Sequence, residues 1–225
     1  MTATSGTSTP RATASTGAAV FDPASGTLRA SAADLRSLVA TPLPATGPLV
    51  VSGAVVRGQV HPALAPTLEA LRAPRAGVLQ LSYRGRALDG WRGADTVAVL
   101  TPADTDGLHT LVRVNPPLLG AALVKVARLR DRPTAPRALP TVELARSPDI
   151  VRWWRLLHRP TGSSTGGLLE VVDTHHGLYL ALDNGLAIPT DALAVHHLLR
   201  WLLDGGRTMP PLRALPRGVL LPQPA

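Results

Sequence analysis

Two stretches of this chain carry one plan in one order: alternating apolar residues, a turn with proline, then an amphipathic helix. They are LHTLVRVNPPLLGAALVKVARL (108–129) and LYLALDNGLAIPTDALAVHHLLRWLL (178–203). Strand side chains alternate with period two, whereas helical ones repeat every 3.6 residues. A switch between the two periods within a few residues commits the chain to strands and helices packed on one another. Its recurrence predicts two related halves. The predicted fold is therefore α+β, an antiparallel sheet with flanking helices in two pseudo-symmetric halves, 49–130 and 147–206.

The remaining elements follow from local pattern. LVVSGAVV (49–56) reads as a strand. HPALAPTLEALRAP reads as a helix with Leu64, Leu68 and Leu71 on one face, stopping before Pro74 because a residue preceding proline avoids the helical region. VLQLSY (78–83), a short piece around Arg86–Leu88, DTVAVLT (95–101) and LHTLVRV (108–114) read as strands. Asn115-Pro116-Pro117 then opens a helix over 118–129. Residues 131–148 are proline-rich and read as a linker with a short strand in LPTVELA. Ser147-Pro148-Asp149 signals the start of a helix over DIVRWWRLLHR, with Ile150, Trp153, Trp154 and Leu157 on one face and Arg152, Arg155 and Arg159 on the other. LLEVVD (168–173), LYLALD (178–183) and LAIP (186–189) read as strands, and Thr190 as the cap of a last helix ended by Gly205-Gly206. Residues 1–27 read as a disordered leader, 28–206 as a single domain, and 207–225 as an extended Pro/Arg-rich tail.

Composition narrows the function classes. With no cysteine, disulfide scaffolds, thiol catalysis and thiolate metal sites are excluded. No apolar run approaches the roughly 18–20 residues that span a bilayer, and MTATSGTSTPRATASTG lacks the apolar core of a secretory signal, so a soluble cytoplasmic protein without membrane insertion is expected. The net charge of +8 invites a nucleic-acid reading. However, Lys125 is the only lysine, and the arginines scatter from Arg11 to Arg217 without the clustering that phosphate contacts need.

The candidate chemical motifs are weak. Adjacent histidines such as His196-His197 diverge by about 100° on a helix and cannot share an ion, and His175-His176 sits in a turn where polar residues are ordinary. TGSSTGG (161–167) lacks the Gly-Lys-Ser/Thr ending of a phosphate loop. Asp104 and Asp106 fall in a turn, and there is no Gly-x-Ser-x-Gly elbow. No catalytic residue, metal ligand or cofactor is therefore assigned, and the chain is read as a non-enzyme. Tryptophan and arginine dominate interface hot spots. Trp91 with Arg84, Arg86 and Arg92 in a turn-rich segment, and Trp153 on its helix, are the candidate partner-binding residues.

The stretch from Val60 to Pro133 resembles the EspG family, cytosolic chaperones of type VII (ESX) secretion in actinobacteria. Val60–Pro74 looks like the family's HPALAP helix. The strands after it end as expected at Thr110-Leu111-Val112-Arg113-Val114, and Pro117–Leu129 looks like the family's L-AALV segment. The resemblance implies a mixed α+β protein with two pseudo-symmetric halves. It also implies a helical secretion substrate of the PE/PPE or WXG100-like kind as partner, kept soluble until export, with no catalysis or cofactor. Two readings from other classes stand beside it: an arginine-rich nucleic-acid-associated protein, and an enzyme with an unrecognised site.

Overall fold

The computed structural model describes residues 18–83, 85–163 and 166–204. The first half contains β1 (Val20–Asp22), β2 (Thr27–Ser31), α1 (Ala32–Val39), α2 (Pro48–Val51), β3 (Val55–Val56), β4 (Gln59–Val60) and α3 (Ala65–Arg72). It continues with β5 (Gly77–Tyr83), β6 (Arg86–Arg92), β7 (Val97–Leu100), β8 (Leu108–Val114), a 3-10 turn at Pro116–Leu118 and α4 (Leu119–Ala127). The second half contains β9 (Leu139–Pro140), α5 (Thr141–Ala145), β10 (Ile150–Arg159), β11 (Gly167–Thr174), β12 (Gly177–Ala181), β13 (Leu186–Thr190) and α6 (Ala192–Leu203).

All but β3 and β4 join one sheet, in the order β1-β2-β8-β7-β6-β5-β10-β11-β12-β13-β9. Every pairing in it is antiparallel. The order mirrors itself about the β5–β10 pair: β6, β7, β8 and β2 run outward on one side, and β11, β12, β13 and β9 on the other. Each meander ends in a helix, α4 after β8 and α6 after β13, and the two helices pack against each other. The two halves thus form one continuous sheet.

Alternation along the strands sends two sets of side chains to opposite faces. On the α4/α6 face, Leu79, Leu81, Leu88, Val99, Trp154, Leu156 and Val171 meet Leu119 and Leu123 of α4 and Val195, Leu199 and Leu202 of α6. On the opposite face the covering is divided. α1, α2 and α3 bury Leu38, Leu49 and Leu68 against Ala98 and Leu111 in the first half. α5 buries Leu144 against Val172, Tyr179 and Ala187 in the second.

Several sequence expectations are corrected. DIVRWWRLLHR is the strand β10, the longest in the sheet, and not a helix. Ser147 Oγ accepts from the Asp149 amide at 3.2 Å and so closes a turn instead of capping a helix. The first three residues of the expected strand over 49–56 fall in the helix Pro48–Val51, which follows Gly47 with φ +102° and has a proline in its first turn. Within the stretch read as a linker, Thr141–Ala145 is helical, and Ala135 and Leu144 are buried. β1 and Thr27 of β2 belong to the sheet, although sequence assigned them to the leader. The N-cap of α6 is Asp191, whose side chain accepts from the Ala194 amide at 2.7 Å, in place of Thr190. Gly205-Gly206 and the 207–225 tail lie outside the described residues.

Candidate partner-binding surface

Among the described residues, no helix lies over the middle of the sheet on the face opposite α4 and α6. Asp89, Gln80, Leu157 and Leu168 stand side by side across β6, β5, β10 and β11. One step along, Ala87, Ser82, Arg155 and Glu170 form the next row. None of these residues is buried, and Leu168 is 54% exposed. Trp91 on β6 and Trp153 on β10 share this face and mark diagonal corners, roughly 20 Å apart at about 3.4 Å per strand residue. A depression of about 300 Å³ opens near the Trp91 corner, lined among others by Val78, Gln80, Trp91, Leu157 and Arg159.

The floor is polar yet internally satisfied. Gln80 Nε2 donates to Asp89 Oδ1 at 2.8 Å, and Arg155 Nε donates to Glu170 Oε1 at 2.8 Å. Trp153 Nε1 donates to the same Glu170 oxygen, which fixes the indole against the sheet. A partner lying over this floor meets Glu170 ion-paired to Arg155 and Asp89 hydrogen-bonded to the Gln80 amide, and such internal bonding lowers the cost of covering polar groups.

The residues singled out from sequence divide between the two faces. Trp91 and Trp153 reach the open floor, each half-buried against a helix-covered core. Arg86 is two residues from Leu88 in β6 and so shares its α4 side, where it lines a recess of about 750 Å³ with Tyr83, Val126 and Arg152. Arg92 is in strand β6 and not in a loop. Its guanidinium donates to the Leu203 carbonyl at the end of α6 and lies 3.4 Å from His158 Nε2. Burial holds Arg92 below the ordinary arginine value. Burial, followed by the Arg92 charge, holds His158 below the usual histidine range. Arg84 lies outside the described residues.

Sequence reasoning missed Gln80, Asp89, Glu170 and Leu168, and took Arg155 as the solvated face of a helix. The signal was present: Gln80 and Ser82 in VLQLSY, and Glu170 in LLEVVD, are the polar members of alternating strands.

The other motifs have structural partners. Arg29 binds Asp104 and Asp106 at 2.7 and 2.5 Å, and its hydrogen bond is the main cause holding Asp104 below the usual carboxylate range. Arg152 donates to the Arg128 carbonyl at 2.8 Å, just past the end of α4. His176 Nε2 lies 3.5 Å from Asp149 Oδ2 in the β11–β12 turn region, and His196 and His197 meet edge-on. Among the described residues no three His, Cys, Asp or Glu side chains gather as metal ligands, and no helix is long and apolar enough to cross a membrane.

No protein-family model matches the sequence, and no curated protein does either. Among solved structures, the chain is similar to the Mycobacterium tuberculosis type VII secretion system chaperone EspG5 in complex with the PE25–PPE41 dimer. The identity is 14% and the TM-score 0.55, with 86% of this chain and 98% of that chain covered. The class defined by the mirrored sheet and its flanking helices is a mixed α+β protein. Within that class, the fold is EspG-like.

Proposed function

We propose that this chain is a non-catalytic, cytoplasmic chaperone that binds a helical type VII secretion substrate, of the PE/PPE or WXG100-like kind, and keeps it soluble for export. The observation that carries this reading is the overlay with EspG5, which spans nearly all of that chain. The bare four-strand floor gives the reading a surface. That floor measures roughly 20 by 15 Å from strand spacing, about 300 Å², whereas a stable partner covers about 800 Å² on each side. The substrate must therefore also contact the walls beside the floor, and its apolar tip would insert between Trp91 and Trp153, with Leu157 and Leu168 beneath. Arg155 and Arg159, which share the floor side of β10 with Leu157, orient it. In this reading Arg92 positions α6 against the sheet.

Co-expression with each neighbouring PE/PPE pair and WXG100-like protein of the source genome tests the proposal. The expected result is a stoichiometric complex with a client that is insoluble when expressed alone. If none is solubilised or co-purified, the chaperone reading fails.

A further inference from the structure

α1 and α3 stand far enough from the sheet to leave an open cavity of about 530 Å³ beneath them. Packed interiors hold few voids larger than a water molecule, and small-ligand pockets run about 300–1,000 Å³. The walls are Leu35 and Leu38 of α1, Leu68 and Leu71 of α3, Leu111 of β8, and the indole of Trp91. At the corresponding place in the second half, Leu144 and Ala135 pack against Val172 and Tyr179. The space lies between α1 and α3 and the strands β6 to β8 of the first half.

Two lining residues are basic, Arg36 and His109, and none is a carboxylate. His109 Nδ1 lies 3.0 Å from the Thr101 carbonyl oxygen. A carbonyl only accepts, so Nδ1 carries the proton and the ring is held against the wall. Arg36 is exposed at the opening. Arg72 Nη2 donates to the Leu38 carbonyl at 2.9 Å, which ties the end of α1 to α3 and adds a second guanidinium nearby. An apolar cavity with cations and no acid at its mouth matches a molecule with an apolar tail and an anionic head. We propose that this cavity binds a medium-chain carboxylate, its tail among the leucines against Trp91 and its head at Arg36. The proposal does not depend on the chaperone reading.

Calorimetric titration of the full chain with decanoate tests it, with decanol and decyltrimethylammonium as probes carrying the same tail. Decanoate should bind saturably at one site and change a tryptophan signal that Trp91→Phe removes. Arg36→Glu should weaken decanoate about tenfold and leave decanol unchanged, because only the charged head loses its partner. Leu71→Trp and Leu35→Trp fill the mouth from opposite walls and should abolish binding, with a thermal melt confirming that each variant is folded. Absence of saturable decanoate binding overturns the proposal. So does equal affinity for decyltrimethylammonium, or undiminished decanoate binding in whichever mouth-filled variant folds.

Discussion

Arg132 lies in the stretch that sequence reads as a linker, and its removal measures how far that stretch belongs to the core. Its Nε donates to Asp173 Oδ1 at 2.8 Å and its Nη2 to Oδ2 at 3.3 Å. The Asp173 side chain is 3% exposed and that of Arg132 22%. Breaking a buried pair by deleting one partner costs about 3–5 kcal/mol, because the remaining charge is stranded. Water can enter along the partly exposed arginine path, so the lower end, about 3 kcal/mol, is expected for Arg132→Met. For a chain of this size that lowers Tm by roughly 6–12 °C, at about 2–4 °C per kcal/mol. Urea unfolding and calorimetry give the two numbers independently. Arg132→Met combined with Asp173→Leu should recover most of the loss, since replacing both charges with apolar groups removes the stranded carboxylate. A loss below about 1 kcal/mol for Arg132→Met is what an exposed pair would show. It would refute the burial argument and restore the linker reading.

Four further outcomes follow from other parts of the molecule. Gly77 has φ +127° and a Cβ there would lie 2.4 Å from the Arg159 carbonyl oxygen, so Gly77→Ala should destabilise by at least about 1–3 kcal/mol in urea unfolding. A Cβ on Gly120 in α4 meets only Arg200 Cγ at 3.6 Å, so Gly120→Ala should be neutral or stabilising by up to about 1 kcal/mol. His158 is held below its ordinary value of 6.5, so the unfolded chain binds its proton first as pH falls. This contribution to stability is complete above that pH and declines below it; His158→Gln should flatten the slope, and an unchanged slope would count against it. Trp153→Ala should weaken client binding by about 2 kcal/mol, roughly thirtyfold by pull-down titration, whereas the exposed Arg155→Ala should cost under about 1 kcal/mol.

The meander β5–β8 was legible because alternation is local: VLQLSY, DTVAVLT and LHTLVRV read as strands wherever they are placed. β10 was not. Ile150, Trp153, Trp154 and Leu157 fit a helical face, yet the same residues also fit a strand wetted on one side, with Trp154, Leu156 and His158 inward and Trp153, Arg155 and Leu157 outward. What decides between them is pairing with β5 on one side and β11 on the other, and those partners are distant in sequence. The error carried into the site. As a helix, DIVRWWRLLHR offers a tryptophan stripe with solvated arginines behind it. As a strand, it sends Trp153 and Trp154 to opposite faces and sets Arg155 directly across from Glu170.

The mirrored strand order accounts for why the open surface falls where it does. A pseudo-twofold arrangement about β5 and β10 makes these the innermost strands of the sheet, ordinarily the most covered. α4 and α6 meet over them on one face, because each meander delivers its helix to the same side. The other face receives unequal cover. α3 packs on β6 and β7, and α5 packs on β9 and β13, so neither reaches the centre. An antiparallel sheet tolerates a wet face when that face is polar, and the Gln80–Asp89 and Arg155–Glu170 pairs supply the polarity. Leu168 at 54% exposure is the exception, an apolar residue beside Leu157 on β11 at the side of this polar lattice. Leu168→Lys therefore separates two explanations of the open face. If the face is only solvated sheet, the variant leaves stability unchanged and changes nothing else. If a client lies across it, stability is equally unchanged and client capture is lost.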